Sequence, residues 1–273
     1  MNQTIGFIGG GNMASSLIGG LINGGVVKAS EIMVFDPSSE RSAELQTQFS
    51  INVAANNEEL IQNSSVVVIA VKPQVLKAVL SPLASSFQAS APLIVSVVAG
   101  ITANSIEQWL GGDFAIVRVM PNTPALVGQG ASGLYANKNV SNEQRNTSSE
   151  LMNAVGSSAW VANENDIDSI TALSGSGPAY FMLFIQSLIE SAINAGLEPD
   201  AAKALAVKTA SGAAALIESS DLPLQTLIDN VTSPGGTTEQ ALLSFDRSDL
   251  KGVVDTAFKA AKNRSEELAK ELG

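Results

Sequence analysis

The fold is decided by the stretch Gly9-Gly10-Gly11-Asn12-Met13-Ala14. The residues before it, Thr4-Ile5-Gly6-Phe7-Ile8, are few and apolar enough for a buried strand, and Ser15 to Ile22 carry apolar residues at helical spacing. The pattern is Gly-x-Gly-x-x-Ala, in which the first glycine allows a tight turn, the second allows a pyrophosphate to approach the backbone, and the small third residue allows the helix to pack on the strand. The stretch therefore predicts a dinucleotide-binding turn. The alternative is a tight strand–helix turn without a ligand.

Strand and helix patterns alternate through the first half of the chain. After the first strand, strands are predicted over residues 31–35, 51–53, 65–71, 93–98, 115–120, 131–136 and 158–161. Helices are predicted over 38–48, 57–62, 73–86 and 141–154, and another that Thr102 or Asn104 caps and that reaches Leu110. Ser141 and Gln144 match a capping box. This alternation favours an α/β fold with a doubly wound parallel sheet.

No further strand pattern occurs after about residue 165. We therefore predict two domains, a dinucleotide-binding domain over residues 1–164 and an all-α domain over 165–273. Tyr180 to Ala195 is apolar on nearly every face, with Glu190 as its only charged residue. Such a helix is buried in a large core or between subunits. We expect an oligomer that buries it, and the alternative is a helix that runs through the core of a monomer.

The composition excludes several classes of function. The 273 residues carry a net charge of −11, which argues against a nucleic-acid or anionic-membrane partner. Cysteine and histidine are both absent, so neither a disulfide framework nor a metal site is expected. The chain enters its first strand without a signal peptide, and no apolar run approaches the roughly 18 residues of a membrane span. A cytoplasmic location follows as the expectation.

Two loops rich in small residues stand out in the second half. The first, Leu173 to Tyr180, leads into the apolar helix and places Pro178 near the first helical turn. The second, Asp229 to Glu239, combines glycine, proline and threonine ahead of another helix. A loop with hydroxyl groups before a helix is how an anion site at a helix N-terminus is built. The alternative is that Thr237 or Thr238 only caps that helix.

Six segments, in this order, carry a family resemblance: Gly6–Met13, Ala70–Gln74, Val98–Gly100, Val119–Pro124, Ser174–Tyr180 and Thr232–Thr238. The chain strongly resembles pyrroline-5-carboxylate reductase from Gly6 to about Leu268, and Thr232–Thr238 is the most specific segment. The resemblance implies an N-terminal Rossmann-like domain and a C-terminal all-α domain that dimerises by intertwining, with rings of dimers as larger assemblies. The implied reaction is hydride transfer from a nicotinamide to the C=N carbon of 1-pyrroline-5-carboxylate, which gives L-proline. A protonated imine is already an electrophile, so this chemistry needs neither histidine nor cysteine.

The resemblance also implies which residues bind the cofactor, NADP(H) or, as the alternative, NAD(H). They lie in the glycine turn and at the carboxyl ends of the following strands: Ile8, Gly9, Gly10, Gly11, Asn12, Met13, Asp36, Ser38, Asn57, Ala70, Val71, Lys72, Pro73, Val98, Ala99 and Gly100. An acidic residue at the position of Asp36 is typical of proteins that bind NAD, whereas members of the family tend to use NADPH. Ser38, Ser39 and Arg41 follow it and offer groups for a 2′-phosphate. Lys72 faces phosphate, substrate or only solvent.

For the substrate, the resemblance implies an anion site that takes the carboxylate. Its residues are Ser233, Gly235, Gly236 and Thr237, with Ser176, Gly177, Pro178 and Asn122 nearby. Thr238 is the implied catalytic residue, which hydrogen-bonds the ring nitrogen, orients the imine and relays a proton. The loops of the helical domain are implied to come from the partner subunit, so the site closes only in the dimer.

Two other functions remain open from the sequence. One is a related imine or hydroxyacid reductase, although the latter usually relies on a lysine in the long interdomain helix and Ala179 to Ala195 has none. The other is a sensor that binds the dinucleotide without turnover. The Thr232–Thr238 loop argues against a sensor, which needs no anion site opposite the nicotinamide.

Overall fold

The computed structural model describes residues 4–272, in which the eight predicted strands are confirmed. They form one sheet in the order β3-β2-β1-β4-β5-β6-β7-β8. The strands are β1 (Ile5–Ile8), β2 (Ile32–Phe35), β3 (Asn52–Val53), β4 (Val66–Ile69), β5 (Leu93–Ser96), β6 (Ile116–Met120), β7 (Gly130–Ala136) and β8 (Gly156–Trp160).

The sheet is parallel except at one pair, where β7 runs antiparallel to β6. The prediction of a parallel sheet is wrong at this pair. A parallel return needs a crossover of a dozen or more residues, whereas only Pro121 to Gln129 join these two strands. That connection holds a 3₁₀ turn, Thr123–Val127, and the chain therefore turns back beside the strand it has just left.

Seven α-helices lie between the strands along the chain, and an eighth follows β8. They are α1 (Asn12–Asn23), α2 (Ser39–Phe49), α3 (Asn57–Gln62), α4 (Pro73–Leu80), α5 (Ala84–Ser90), α6 (Ala103–Leu110), α7 (Asn142–Asn153) and α8 (Asp166–Ile170). Of the two candidate caps for α6, Thr102 and not Asn104 is the N-cap, and the cap predicted at Ser141 is confirmed as a capping box with Gln144. The single helix predicted over 73–86 is wrong, because a 3₁₀ turn, Ser81–Leu83, separates α4 from α5. Pro82 lies in that turn and has no N–H to continue an α-helix.

Apolar side chains fill both faces of the sheet. Phe7 belongs to the cluster on one face, together with Leu17 and Leu21 of α1. Its neighbour Ile8 belongs to the cluster on the other face, together with Leu76 of α4. This alternation along one strand is why the central strands are apolar throughout. The glycine turn therefore leaves the sheet from a strand that is buried on both sides.

Five further helices follow: α9 (Gly177–Asn194), α10 (Pro199–Glu218), α11 (Leu224–Asn230), α12 (Thr237–Arg247) and α13 (Leu250–Leu272). The chain divides into two compact units, one that runs up to Ser176 and resumes at Ala261, and one over Gly177–Ala260. Residues from Ala261 belong to the first unit, where Ser265 Oγ donates to Asp168 Oδ1 at 2.6 Å. The division into domains 1–164 and 165–273 stays a prediction, since the compact units describe packing alone.

Within the single chain, α9 presents its apolar side chains to the outside. Phe181, Met182 and Leu183 are 72%, 62% and 66% exposed. The alternative in which this helix runs through the core of a monomer is therefore wrong. The stretch that continues through it, Asp166–Asn194, is long and apolar enough to cross a membrane by length and composition. By this criterion of length and composition, the expectation that no apolar stretch of the chain approaches a membrane span is also wrong.

The first small-residue loop is more helical than predicted. Thr171–Gly175 forms a π-helical turn, and Ser176 donates its N–H to Thr171 O at 2.8 Å. Pro178 lies in the first turn of α9, as expected. The missing N–H of proline costs nothing there, so the helix can begin directly after Ser176.

Candidate functional site

The glycine turn links β1 to α1 in the form that the sequence predicts. Gly9 has φ +95°, and a Cβ added there would lie 2.8 Å from Ala70 O, so only glycine fits. Gly11 is the N-cap residue of α1. No side chain of the described residues accepts a hydrogen bond from the free N–H groups there, and a Cβ added to Gly11 would meet no atom within 4 Å. Ala14 is fully buried beneath the turn. An open space in front of an uncapped helix N-terminus is what a pyrophosphate requires.

The carboxyl ends of four parallel strands meet at this turn. Ile8 pairs with Phe35 on one side and with Ile69 on the other, and Ile69 pairs with Ser96. The strand order reverses between β1 and β4, which is the crevice where open α/β sheets bind ligands. The predicted cofactor segments Ala70–Pro73 and Val98–Gly100 follow directly after β4 and β5, so the fold brings them to this edge.

Asp36 follows β2 and is held by the backbone on both of its oxygens. Oδ2 accepts the Gly10 N–H at 2.8 Å, and Oδ1 accepts the Ser38 N–H at 2.9 Å. Ser38 in turn caps α2 by accepting the Arg41 N–H at 3.2 Å. These contacts fix the carboxylate beside the second residue of the glycine turn, where the ribose of a dinucleotide lies in this fold.

Three other predicted cofactor residues occupy the starts of two helices. Lys72 is exposed at the N-cap of α4, and Pro73 is the first residue of that helix. Asn57 begins α3, and its side-chain Oδ1 is buried without a hydrogen-bond partner among the described residues. A buried acceptor without a donor is uncommon, and a ligand hydroxyl is one group that satisfies it.

In the loop between β5 and α6, Gly100 has φ +73° and packs against the end of α13, where an added Cβ would lie 3.5 Å from Leu268 Cβ. Next to it, Glu164 Oε1 accepts the Ala103 N–H at the start of α6 at 2.7 Å and the Arg118 Nη1–H at 2.8 Å. Sequence reasoning missed this contact. Its one signal is Arg118, a charged residue inside the apolar strand β6, whose side chain is only 7% exposed.

Asn122 is buried after β6 and uses both ends of its side chain within the protein. Its Nδ2 donates to Ser174 O at 3.0 Å, and its Oδ1 accepts the Ala131 N–H at 2.9 Å. The side chain thus joins the turn after β6 to β7 and to the π-helical turn. Contact of Asn122 with the substrate stays a prediction, as it does for Ser176, Gly177 and Pro178.

In the helical unit, the second loop ends at the N-terminus of α12. Gly235 has φ +70° and donates its N–H to Glu239 Oε2 at 2.9 Å, while the Gly236 N–H donates to Ser233 O at 2.9 Å. Gly236 is the N-cap and no side chain caps the helix. The alternative in which Thr237 or Thr238 serves only as a cap is therefore wrong. The two glycine N–H groups are used inside the loop, whereas Thr237 and Thr238 occupy the first two helical positions.

Among the described residues, 4–272, no group of three or more acidic side chains is arranged to hold a metal ion. The two loop systems therefore offer backbone N–H groups, hydroxyls and a few charged side chains. This set can bind phosphates and a carboxylate, and it suits a reaction in which a cofactor supplies the reactive atom.

Comparison with known proteins supports this interpretation. Residues 164–268 match the family model described as pyrroline-5-carboxylate reductase dimerisation, and residues 4–100 match the model described as NADP oxidoreductase coenzyme F420-dependent. Pyrroline-5-carboxylate reductases of Pseudomonas aeruginosa and Pasteurella multocida are 47% and 40% identical, each over 98% of both chains.

Solved structures resemble the chain over nearly its whole length. A pyrroline-5-carboxylate reductase from Coxiella burnetii is 39% identical with a TM-score of 0.95, over 98% of this chain and 99% of the other. A pyrroline carboxylate reductase from Plasmodium falciparum with NADP bound is 34% identical with a TM-score of 0.86, over 98% of both chains. Identity at this level across both units establishes that the chain belongs to the pyrroline-5-carboxylate reductase family.

Proposed function

We propose that the chain reduces the C=N bond of 1-pyrroline-5-carboxylate to give L-proline, the last step of proline biosynthesis. The observation that carries the proposal is a pair of uncapped helix N-termini in a member of this family, one at the glycine turn of α1 and one at the Gly/Pro loop of α12. One suits the pyrophosphate of a dinucleotide and the other suits the substrate carboxylate.

The residues around the glycine turn fit NADP(H), with NAD(H) as the alternative. The open space at Gly11 and the partnerless Asn57 Oδ1 support a bound dinucleotide. When bound, the nicotinamide supplies the hydride for the C=N carbon. The chain positions the two reactants: Asp36 and Ser38 border the ribose, the first residues of α1 hold the phosphates, and Val98–Gly100 line the nicotinamide. Lys72 is assigned to the same edge without a more specific role.

On the substrate side, we assign the carboxylate to the N–H groups of Thr237 and Thr238, since those of Gly235 and Gly236 are used within the loop. Ser233 and the two glycines shape the turn that presents them. The Thr238 hydroxyl hydrogen-bonds the ring nitrogen, orients the imine and relays a proton. Asn122, Ser176, Gly177 and Pro178 complete the surroundings.

The exposed apolar face of α9 supports a homodimer through the helical unit. A helix that is buried between subunits can pass the same test of length and composition as a membrane span. Because the matched family model is named for dimerisation, we assign the apolar stretch to the dimer. We further propose that the partner subunit contributes the Thr232–Thr238 loop to the site, that the dimers assemble into rings, and that the enzyme is cytoplasmic.

Absorbance at 340 nm tests the reaction directly. Purified protein with 1-pyrroline-5-carboxylate and NADPH or NADH is expected to oxidise at least one of the two cofactors. Cofactor binding without oxidation would contradict the proposal and favour the sensor. Oxidation only with a different imine, or with the oxo acid that corresponds to a hydroxyacid, would favour a related reductase.

A pair of variants tests the role of Thr238. Thr238→Val removes the hydroxyl at nearly constant shape and is expected to lower kcat about 10- to 100-fold, since one hydrogen bond to a charged group is lost. Thr238→Ser keeps the hydroxyl and is expected to retain most of the activity. Equal kcat for Thr238→Val and the parent protein would refute this assignment.

A further inference from the structure

Three charged side chains gather where β2 passes into α2, and two of them hydrogen-bond the backbone of Gly10, one at its N–H and one at its carbonyl. The Asp36 carboxylate accepts the Gly10 N–H, while Arg41 Nε donates to the Gly10 carbonyl. An added Cβ on Gly10 would lie 3.4 Å from both Asp36 Cβ and Arg41 Cγ. Arg41 is therefore anchored to the same residue, Gly10, as Asp36, which is the position that meets the adenosine ribose.

Arg41 is also paired with a carboxylate of its own helix. Its Nη1 lies 2.8 Å from Glu44 Oε2, and the two side chains are 29% and 55% exposed. An exposed pair three residues apart on a helix is weak and exchanges readily for another partner. A phosphate presents more acceptor oxygens to the guanidinium fork than this single contact uses.

The remaining charge at this corner disfavours a phosphate. Asp36 keeps acceptor capacity for a ribose hydroxyl, because each of its oxygens takes only one backbone N–H. Its negative charge repels a 2′-phosphate, and Arg41 is the cation that offsets this repulsion. While Arg41 is paired with Glu44, that compensation is reduced.

We propose that Glu44 is a specificity-determining residue that competes with the 2′-phosphate of NADP(H) for Arg41. It thereby sets the ratio of NADPH to NADH affinity, because Asp36 accepts a ribose hydroxyl but repels the 2′-phosphate, and Arg41 offsets that repulsion. The inference rests on the proposed function, since it concerns the cofactor of that reaction. It is tested by binding, without the imine, so that its outcome does not depend on the substrate assignment.

Isothermal titration calorimetry of the full-length protein with NADPH and with NADH is the experiment. Glu44→Gln is expected to lower the Kd for NADPH about two- to fivefold and to leave the Kd for NADH unchanged. Arg41→Gln is expected to raise the Kd for NADPH about tenfold, and adding Glu44→Gln to it is expected to change nothing further. Glu40→Gln is the matched control, because Glu40 is an exposed carboxylate in the first turn of the same helix.

Three results would overturn the inference: an unchanged NADPH Kd in Glu44→Gln, an equal change for NADH, or an equal change in Glu40→Gln. The last would mean that net charge alone acts. Circular dichroism establishes that each variant is folded. Failure of the proposed function is a separate result, namely cofactor binding without oxidation in the presence of 1-pyrroline-5-carboxylate.

Discussion

Gly9 and Gly11 belong to the same turn but have different surroundings. Gly9 lies in the left-handed region at φ +95°, with the Ala70 carbonyl 2.8 Å from the position of a Cβ. Gly11 has φ −65° and faces open space. At Gly9 the protein itself requires glycine, whereas at Gly11 the requirement comes from whatever approaches the turn. Substitution of Gly9 is therefore expected to affect mainly stability, and substitution of Gly11 mainly cofactor binding.

Exchanging each glycine for alanine tests this difference. Gly11→Ala is expected to leave the free energy of unfolding within about 0.5 kcal/mol of the parent value, because no atom is displaced. It is expected to raise the KM for the cofactor about tenfold by keeping the pyrophosphate away from the backbone. Gly9→Ala is expected to cost about 2 kcal/mol of stability. Urea unfolding and the 340 nm assay measure the two effects, and unimpaired cofactor use by folded Gly11→Ala would contradict the assignment of the turn.

Like Glu44, Glu239 is a carboxylate close to a proposed anion site. Its carboxylate accepts the Gly235 N–H within the loop that leads to Thr237 and Thr238. Glu239→Gln retains an acceptor for that N–H and removes a like charge, so the KM for the imine is expected to fall about two- to fivefold. Glu239→Ala removes the acceptor as well and is expected to raise this KM. Initial-rate kinetics at saturating cofactor measure both, and identical KM values in the two variants would contradict the role of the loop.

Among the elements, β7 depends on polar groups at its end. Asn137 follows this strand, donates from Nδ2 to Phe114 O at 2.8 Å and to Glu107 Oε1 at 2.9 Å, and accepts the Ile116 N–H at 3.1 Å. It thus joins α6, β6 and β7 with one side chain. Within the same strand, Ser132 Oγ is buried without a hydrogen-bond partner in the part of the chain that the structure describes. Replacing these two buried polar residues by alanine is therefore expected to have different effects on the free energy of unfolding.

Alanine substitutions measure that difference. Asn137→Ala leaves several buried partners unpaired and is expected to lower the free energy of unfolding by about 2–4 kcal/mol. Ser132→Ala removes an unpaired hydroxyl and is expected to change it by less than about 0.5 kcal/mol or to raise it by up to about 1 kcal/mol. Urea denaturation curves give both values. A loss of stability in Ser132→Ala comparable to that in Asn137→Ala would mean that the hydroxyl has a partner.

At the scale of the whole molecule, the exposed helix α9 is the dominant feature of the second unit. A helix with Phe181, Met182 and Leu183 more than half exposed carries more apolar surface than a monomer leaves in water. The family model matched over residues 164–268 is named for dimerisation. The activity is therefore expected to depend on association of two chains.

Phe181→Asp tests this dependence. A carboxylate in an apolar interface is expected to weaken dimerisation by about 2 kcal/mol or more, with a matching loss of activity at low protein concentration. Light scattering coupled to size-exclusion chromatography measures the mass. Val26→Asp is the matched control, because Val26 is 41% exposed in the first unit and outside this helix. A dimeric and fully active Phe181→Asp protein would exclude this face as the interface.

The sequence by itself determined the eight strands, the glycine turn at their centre, the capping box at Ser141 and the family, since these depend on residues close together in the chain or on short motifs in a fixed order. Local hydrophobic period, turn chemistry and motif spacing carry that information. Tertiary structure alone decided the reversal of β7, the contact of Glu164 with Arg118 and Ala103, the return of residues 261–272 to the first unit, and the use of the Gly235 N–H by Glu239. Each of these follows from which groups remain to be paired or buried once the elements pack, and no local pattern specifies that.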